Sequence, residues 1–319
     1  MKNNVTRETK LYAVIGDPIA HSLSPVFQNY FIRQRNINAL YIPLRITSDT
    51  LVDSLKFLKN DFVGFNVTIP HKENIMQYLD EIDPLAIEYG AVNTVKVTDG
   101  ALIGYNTDGI GFTRSLENIN MSLKKKQVLL LGAGGAAKVI ASEIVKLGGN
   151  LTIANRNIER GMQFKTQLEK SYGVFINIID PAGLNTSSDI LNPTKPDDYA
   201  DIVHPKKPAN HTDMVKSAKT NTFFDVIINS TSVGMYPDMD RSPINPDILQ
   251  GVKLVYDIIY NPFETKLLGL GNKFGAKTIN GLPMLIYQGL KSFEIWTGEQ
   301  ATHDEEKEIY NMLKNTLLK

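Results

Sequence analysis

Short, fully apolar runs alternate with amphipathic ones along this chain. Leu11-Tyr12-Ala13-Val14-Ile15 is continuously apolar and stops at Gly16-Asp17-Pro18, the pattern of a buried strand ending in a turn. Ser24-Pro25 opens the next segment. Serine is a favoured helix N-cap, and proline at the first helical position has no N–H to leave unpaired. Val26, Phe27, Tyr30 and Phe31 then recur at helical spacing. Residues 39–46 read as strand, 51–58 as helix, 64–69 as strand and 72–79 as helix. Residues 91–97 and 102–105 form a hairpin pattern about Asp99-Gly100. This β–α alternation predicts a mainly parallel sheet flanked by helices.

The pattern restarts beyond Gly111. Residues 112–118 read as a bridging helix and Lys124-Lys125-Lys126 as a solvated turn. Residues 127–131 read as a strand that is apolar from Val128 on, as expected where helices cover both faces. A crossover helix over 136–147 and a strand over 150–154 follow. Further strands are expected at 174–179, 224–228, 254–258 and 277–279, then an amphipathic helix over 284–296 that packs back on the first unit. The expected domains are therefore 1–111 with 280–319, and 112–279. Gly109, Gly111 and the residues before Gly281 sit at the crossings, where hinges are common. Residues 180–221 are rich in Pro, Asp, Asn, Lys and Ser. Structureless loops beyond roughly 15 residues are uncommon in compact domains, so this stretch is either a long insertion or hides a helix over 212–218.

Composition narrows the function. A length of 319 residues suits two domains. Lys+Arg and Asp+Glu both number 34, which argues against a polyanion binder, so no nucleic-acid partner is expected. The absence of cysteine excludes disulfides, thiolate zinc sites and a cysteine nucleophile. His204 and His211 lie in a polar stretch that reads as solvated loop, and no metal site is expected. No run reaches the roughly 18 apolar residues of a membrane helix, and the polar first ten residues do not resemble a secretory signal. A cytoplasmic protein with a small-molecule substrate is expected, with a homodimer left open.

Gly132-x-Gly134-x-x-Ala137 follows an apolar strand and precedes a helix, the context that a dinucleotide loop requires. There the backbone around Gly134, Gly135 and Ala136 approaches a pyrophosphate, and the helix N-terminus offers free N–H groups. The ribose-reading position at the end of the next strand holds Asn155-Arg156-Asn157 where NAD enzymes usually place an acid. A guanidinium suits a 2′-phosphate, so NADP is expected, with Glu159 leaving room for NAD. The plainer alternative is a surface arginine.

Two clusters suit a substrate. Ser22 and Ser24 stand before a helix N-terminus, where a carboxylate could be held; equally, Ser24 could simply cap the helix. Lys72, after a strand-like run closed by Pro70, and Asp108, on the turn 104–109, could form a proton-transferring pair. Seen alone, Lys72 also reads as an exposed lysine at a helix start.

The motifs in order are Gly16-Asp17-Pro18-Ile19 with His21-Ser22-Leu23-Ser24-Pro25, Asn66-Val67-Thr68-Ile69-Pro70-His71-Lys72, Ala91-Val92-Asn93-Thr94 and Gly104-Tyr105-Asn106-Thr107-Asp108-Gly109. Gly132-Ala133-Gly134-Gly135-Ala136, Asn229-Ser230-Thr231-Ser232-Val233-Gly234-Met235, Tyr260-Asn261-Pro262 with Thr265, and Asn280-Gly281-Leu282 leading to Gln288-Gly289 complete the series. This series, spanning about residues 11–298, resembles the shikimate dehydrogenase family, including its quinate/shikimate dehydrogenase branch. The resemblance implies an α/β fold with an N-terminal substrate domain and a C-terminal Rossmann NAD(P)-binding domain, the active site lying in the cleft between. It implies reversible NADPH-dependent reduction of 3-dehydroshikimate to shikimate. Ser22 and Ser24 would hold the carboxylate, supported by Thr68. Lys72 and Asp108 would be the catalytic pair. Asn93, Asp108 and Gln288 would bind ring hydroxyls, Tyr260 would help close the site, and Asn66 would reach the substrate or back those that do. Gly132, Gly134, Gly135, Ala136, Asn155, Arg156 and Asn157 would bind the cofactor, with Met235 and Gly281 beside the nicotinamide. The chain departs from the family at Gln28-Asn29, commonly His-Asn, at Asn157, commonly Thr, and in the length of 180–221. The alternatives are a quinate/shikimate dehydrogenase using NAD or NADP, and a non-catalytic metabolite sensor on the same fold.

Overall fold

The computed structural model describes residues 5–181, 184 and 224–318. Residues 185–223, which hold the bulk of the expected insertion, the 212–218 helix, His204 and His211, lie outside the described residues. The chain divides into two compact units, one of Met1–Ser122, Lys138–Glu143 and Gly281–Lys319, the other of Leu123–Ala137 and Ile144–Asn280.

The first unit runs β1 (Lys10–Gly16), α1 (Ser24–Gln34), β2 (Ala39–Arg45), α2 (Leu51–Asp61), β3 (Gly64–Val67), β4 (Glu81–Ile82), α3 (Pro84–Tyr89), β5 (Thr94–Thr98), β6 (Ala101–Tyr105) and α4 (Asp108–Glu117). Its six strands are ordered β2-β1-β3-β5-β6-β4. The β1–β2, β1–β3 and β4–β6 pairs are parallel, but β5 pairs antiparallel with β3 and with β6. Three of the five pairs are parallel, so the sheet is mainly parallel as expected, and the tight Asp99-Gly100 turn, which returns the chain at once, makes the β5–β6 pair antiparallel. Both turn residues take positive φ, 51° and 75°, as a two-residue hairpin requires. Ala13, Ile15, Phe65, Val95 and Leu102 meet Leu55 and Leu58 of α2 in the core.

Several local expectations change. Residues 72–79 form only a 3-10 turn over Asn74–Tyr78, with Ile75 its one buried residue, too little apolar surface to hold a longer helix. Strand β3 stops at Val67, before exposed Ile69 and Pro70, which has no N–H to give the ladder. Ser24 is the first residue of α1 rather than its cap. Leu23 precedes it, no side chain caps this helix, and Ser22 Oγ accepts the Ser24 N–H at 3.3 Å. Helix α4 begins at Asp108, so Gly109 and Gly111 lie within it. A Cβ on Gly109 would meet the Tyr89 hydroxyl at 2.4 Å, and one on Gly111 would meet the Met284 carbonyl oxygen at 2.7 Å. Close packing accounts for glycine at both positions.

The second unit runs β7 (Gln127–Leu131), α5 (Gly135–Lys146), β8 (Asn150–Ala154), α6 (Ile158–Tyr172), β9 (Asn177–Ile179), β10 (Val226–Asn229), β11 (Leu254–Asp257), α7 (Lys266–Lys273) and β12 (Lys277–Ile279). Among the described residues every strand pair of this unit is parallel, in the order β12-β11-β10-β7-β8-β9. Read from the other edge this is the 3-2-1-4-5-6 order of a doubly wound dinucleotide fold, with its reversal between β7 and β10. The strand residues of β10 and β11 are all buried, the apolar ones and also Asn229 and Asp257 at the strand ends.

Two helices, α8 (Leu282–Thr297) and α9 (His303–Leu317), return to the first unit. Helix α8 packs along α4 and against α1, and Trp296 Nε1 donates to the Val95 carbonyl at 2.9 Å. Helix α9 was not expected. It starts with a capping box between Thr302 and Glu305, and Arg35 NH1 and NH2 fork onto the two Glu305 oxygens at 3.0 Å each.

Candidate active site

Lys72 and Asp108 meet within the first unit. Lys72 Nζ donates to Asp108 Oδ2 at 2.5 Å, with side chains 18% and 6% exposed. The loop that carries Lys72 is tied down by its neighbour: buried His71 bonds through Nε2 to the Ile46 carbonyl at 2.6 Å, so that ring nitrogen carries the proton. Asp108 is the first residue of α4, where the helix dipole favours its charge. The Asn106 Oδ1 accepts its N–H at 2.9 Å.

Asn93 sets the other face of the carboxylate. Its Oδ1 accepts the backbone N–H of Thr107 at 2.8 Å, which fixes the amide orientation. The Nδ2 is thereby turned to Asp108 Oδ1 at 2.8 Å and Gln288 Oε1 at 3.2 Å. Gln288 lies on α8 and is held by its own Nε2 donating to the Leu285 carbonyl at 2.9 Å. Lys72, Asn93, Asp108 and Gln288 therefore form one connected group.

Asn66 lies beside it. Its Nδ2 points to the Asn93 carbonyl (3.1 Å), Thr94 Oγ1 (3.1 Å) and Ser292 Oγ (2.9 Å). Its Oδ1 accordingly faces Tyr41, whose hydroxyl donates at 2.7 Å. Tyr41 is fully enclosed, burial holds its phenol well above the ordinary range, and the Ser24 hydroxyl is its other neighbour. Ser24 is buried, while Ser22 and Thr68 are half-buried. Gly16 lets the loop after β1 approach Thr68, since a Cβ there would lie 2.5 Å from Thr68 Cγ2 and 2.9 Å from the Ile69 carbonyl oxygen. Tyr41, Thr94 and Ser292 were not anticipated. The one available signal was that Ser292 follows Gln288 by four residues and so shares its helix face.

In the second unit, Gly132 takes φ 106° and donates its N–H to the Ala154 carbonyl at 2.8 Å. A Cβ on Gly134 would meet nothing within 4 Å, so open space faces this stretch of backbone just where α5 begins at Gly135. Gly135 and Ala136 supply its first N–H groups. At the end of β8, Asn155 Nδ2 donates to the Asn157 carbonyl at 2.7 Å, and Asn157 Oδ1 caps α6 by accepting the Arg160 N–H at 2.9 Å. Arg156 is exposed between them. Open space before a helix N-terminus and an exposed guanidinium fit a phosphorylated dinucleotide. Met235 is exposed, Tyr260 is half-buried, and Gly281 precedes α8. Among the described residues, no group of His, Asp and Glu is arranged to hold a metal, and no helix is long and apolar enough to cross a membrane.

One charged group in this unit is wholly buried. Asp257, closing β11, accepts from Asn229 Nδ2 (3.0 Å) and the Ile259 N–H (3.1 Å) on Oδ1, and from Thr265 Oγ1 (2.7 Å) on Oδ2. Burial outweighs these bonds and lifts its pKa from 3.8 to about 6. A raised folded pKa means the folded state binds the extra proton. Stability from this group is therefore present at low pH and lost as pH climbs from about 4 through about 6. The wild type should gain about 1 kcal/mol at pH 5 relative to pH 7.5 that Asp257→Asn lacks. Urea titrations at the two pH values check this, and an equal pH response in both proteins would refute it.

Comparison with known proteins identifies the family. Three family profiles match: "Shikimate dehydrogenase substrate binding domain" over residues 14–95, "Shikimate / quinate 5-dehydrogenase" over 114–191, and "Shikimate 5'-dehydrogenase C-terminal domain" over 281–301. A shikimate dehydrogenase (NADP(+)) from Methanococcus maripaludis is 42% identical, over 93% of this chain and 94% of its own. A crystal structure of a shikimate dehydrogenase in complex with NADP+ is 36% identical with a TM-score of 0.78, covering 96% of each chain. The Thermus thermophilus shikimate 5-dehydrogenase in complex with NADP(H) and shikimate is 27% identical with a TM-score of 0.76, over 95% of this chain and 99% of its own. With its ordered motifs, its two-unit α/β fold and relatives matched over nearly full length, the chain belongs to the shikimate dehydrogenase family.

Proposed function

We propose that the protein is an NADP-dependent shikimate dehydrogenase, catalysing the reversible reduction of 3-dehydroshikimate to shikimate in the route to chorismate and the aromatic amino acids. The observation that carries this is the Lys72–Asp108 contact of 2.5 Å, backed by Asn93 and Gln288. Reduction adds a hydride to the carbonyl carbon and a proton to its oxygen. NADPH, when bound, supplies the hydride. Lys72 Nζ, with only one of its three N–H groups committed to Asp108, donates the proton and is then neutral until solvent restores it; oxidation runs the same steps backwards. The Asp108 carboxylate orients the ammonium and accepts a ring hydroxyl. Asn93 and Gln288 bind the neighbouring hydroxyls. Ser22, Ser24 and Thr68 hold the substrate carboxylate at the start of α1, and Asn66 supports the site from beneath. Tyr260 contributes to substrate enclosure.

The second unit serves as the cofactor domain. Gly132, Gly134, Gly135 and Ala136 receive the pyrophosphate, Asn155 and Arg156 the adenosine end, and Met235 the nicotinamide. Charge-assisted bonds of about 1.5–3 kcal/mol underlie the choice of NADP. Arg156→Ala should then raise KM for NADP by about 10- to 100-fold and leave KM for NAD within twofold. Equal effects on both cofactors would remove Arg156 from the 2′-phosphate. The enzyme is expected to work in the cytoplasm, and light scattering will report whether it is a homodimer.

The direct test is initial rates with shikimate or quinate crossed against NADP or NAD. Shikimate with NADP should give the highest kcat/KM. Comparable rates with quinate would move the protein to the dual-specificity branch, and measurable binding with no turnover in any pair would make it a sensor.

A further inference from the structure

The second unit holds a charged group that neither the pyrophosphate nor the ribose end of a dinucleotide would touch. Burying a carboxylate is costly unless donors surround it, and Asp257, wholly buried at the end of β11, has three. Those donors come from both loops that leave the carboxyl ends of β10 and β11. Asn229 closes β10. Its Oδ1 accepts the N–H of Thr231 at 3.0 Å and its hydroxyl at 2.7 Å, while its Nδ2 bonds Asp257 and reaches the Val233 carbonyl at 3.4 Å. The loop after β11 is gripped at both ends, by the Ile259 N–H and by Thr265, whose hydroxyl also caps α7 by accepting the Leu268 N–H at 3.3 Å. The loops are joined once more where the Tyr236 N–H meets the Asn261 carbonyl at 3.3 Å.

The sheet itself does not need this arrangement. Residues 226–229 and 254–257 pair in register, and Ile227, Val255, Leu267 and Leu268 close the core beneath. What the carboxylate adds is the course of the two loops: Met235 lies two residues beyond Val233, and Tyr260 directly follows Ile259. In doubly wound sheets, ligands lie off the carboxyl ends of the strands.

We propose that Asp257 is a positioning residue for the reaction, fixing through Asn229 and Thr265 the two joined loops and so presenting Met235 to the nicotinamide end of the cofactor. This rests on the assignment of Met235 above. Replacing Asp257 by Asn keeps the shape and one acceptor oxygen but turns an NH2 towards Thr265 Oγ1, which loses the group it donates to.

Asp257→Asn, Thr265→Val and Thr265→Ser should be compared with wild type for kcat, KM for NADP, shikimate binding by calorimetry, and melting temperature. The expected result is a fall in kcat/KM for NADP of about tenfold in Asp257→Asn and Thr265→Val, the worth of one hydrogen bond to a charged group. Shikimate affinity, to which Tyr260 contributes, should fall by less than kcat/KM for NADP, and Thr265→Ser should keep near wild-type values. Unchanged cofactor kinetics with a lowered melting temperature would overturn the proposal, as would equal losses in Thr265→Ser and Thr265→Val. If the wild type turns over no substrate, the enzymatic reading fails by itself. NADP titration of the same variants then decides the positioning role, and equal NADP affinity across them would refute it.

Discussion

Lys72→Ala lowers kcat for shikimate oxidation by roughly 10²- to 10⁴-fold, the range expected when a positioned acid–base group is removed. Binding of shikimate changes far less, because Ser22, Ser24, Asn93 and Gln288 are untouched. The separation follows from geometry. Lys72 comes from a loop held by His71 and Ile46, whereas Asn93 is oriented by the Thr107 backbone and Gln288 by its own helix. Deleting the ammonium leaves Asp108 nearly buried with Asn93 as partner, which a carboxylate at a helix start tolerates. Lys72→Arg should not restore the rate, since a planar guanidinium cannot reproduce a single compact donor and does not release its proton. Single-turnover rates with shikimate titrations make the measurement. Near-full activity in Lys72→Ala would remove the lysine from the chemistry.

Gly111→Ala should damage stability and activity together. Helical glycine ordinarily costs about 0.5–1 kcal/mol relative to alanine, so an exposed site would gain from the change. Here the new Cβ would lie 2.7 Å from the Met284 carbonyl oxygen and 3.0 Å from Gln288 Cβ. One obstacle is backbone, so α4 and α8 must separate. Overpacking of this kind costs about 1–3 kcal/mol or more, which exceeds the propensity gain. The same movement parts Asp108, at the head of α4, from Gln288 on α8. A lowered melting temperature with kcat/KM reduced at least tenfold is expected, since small displacements of reacting groups are expensive. Wild-type values for both would show that the helices can move apart freely.

How much of this was readable in advance depended on where the determining contacts lie. Strands β7 and β8 matched their expected residues because a strand buried on both faces is mostly apolar, as residues 128–131 and, Thr152 apart, 151–154 are. Lys72, Asn93, Asp108 and Gln288 were legible as motif members, and the structure brings them together. Helices α6 and α9 were overlooked because their faces are largely polar, although the Asn157 cap and the Thr302-x-x-Glu305 box both stood in the sequence. Ser24 looked like a cap and is not one. Tyr41, Thr94 and Ser292 were invisible for a deeper reason: each is unremarkable locally and gains its role from partners far away in the chain, such as Asn66 and Ser292, 226 residues apart. Asp257 was hidden likewise, since an acid at the end of an apolar run gives no sign of complete burial.

The return of α8 and α9 to the first unit has a consequence for the order of synthesis. The ribosome delivers β1 to α4 first, then the second unit, and the helix bearing Gln288 and Ser292 only after it. Until that helix emerges, Asn66 and Thr94 lack the Ser292 hydroxyl, the Val95 carbonyl lacks Trp296, and Gly111 of α4 lacks the Met284 backbone it packs against. On the growing chain the half bearing Lys72 and Asp108 therefore becomes complete only after the second unit has been made.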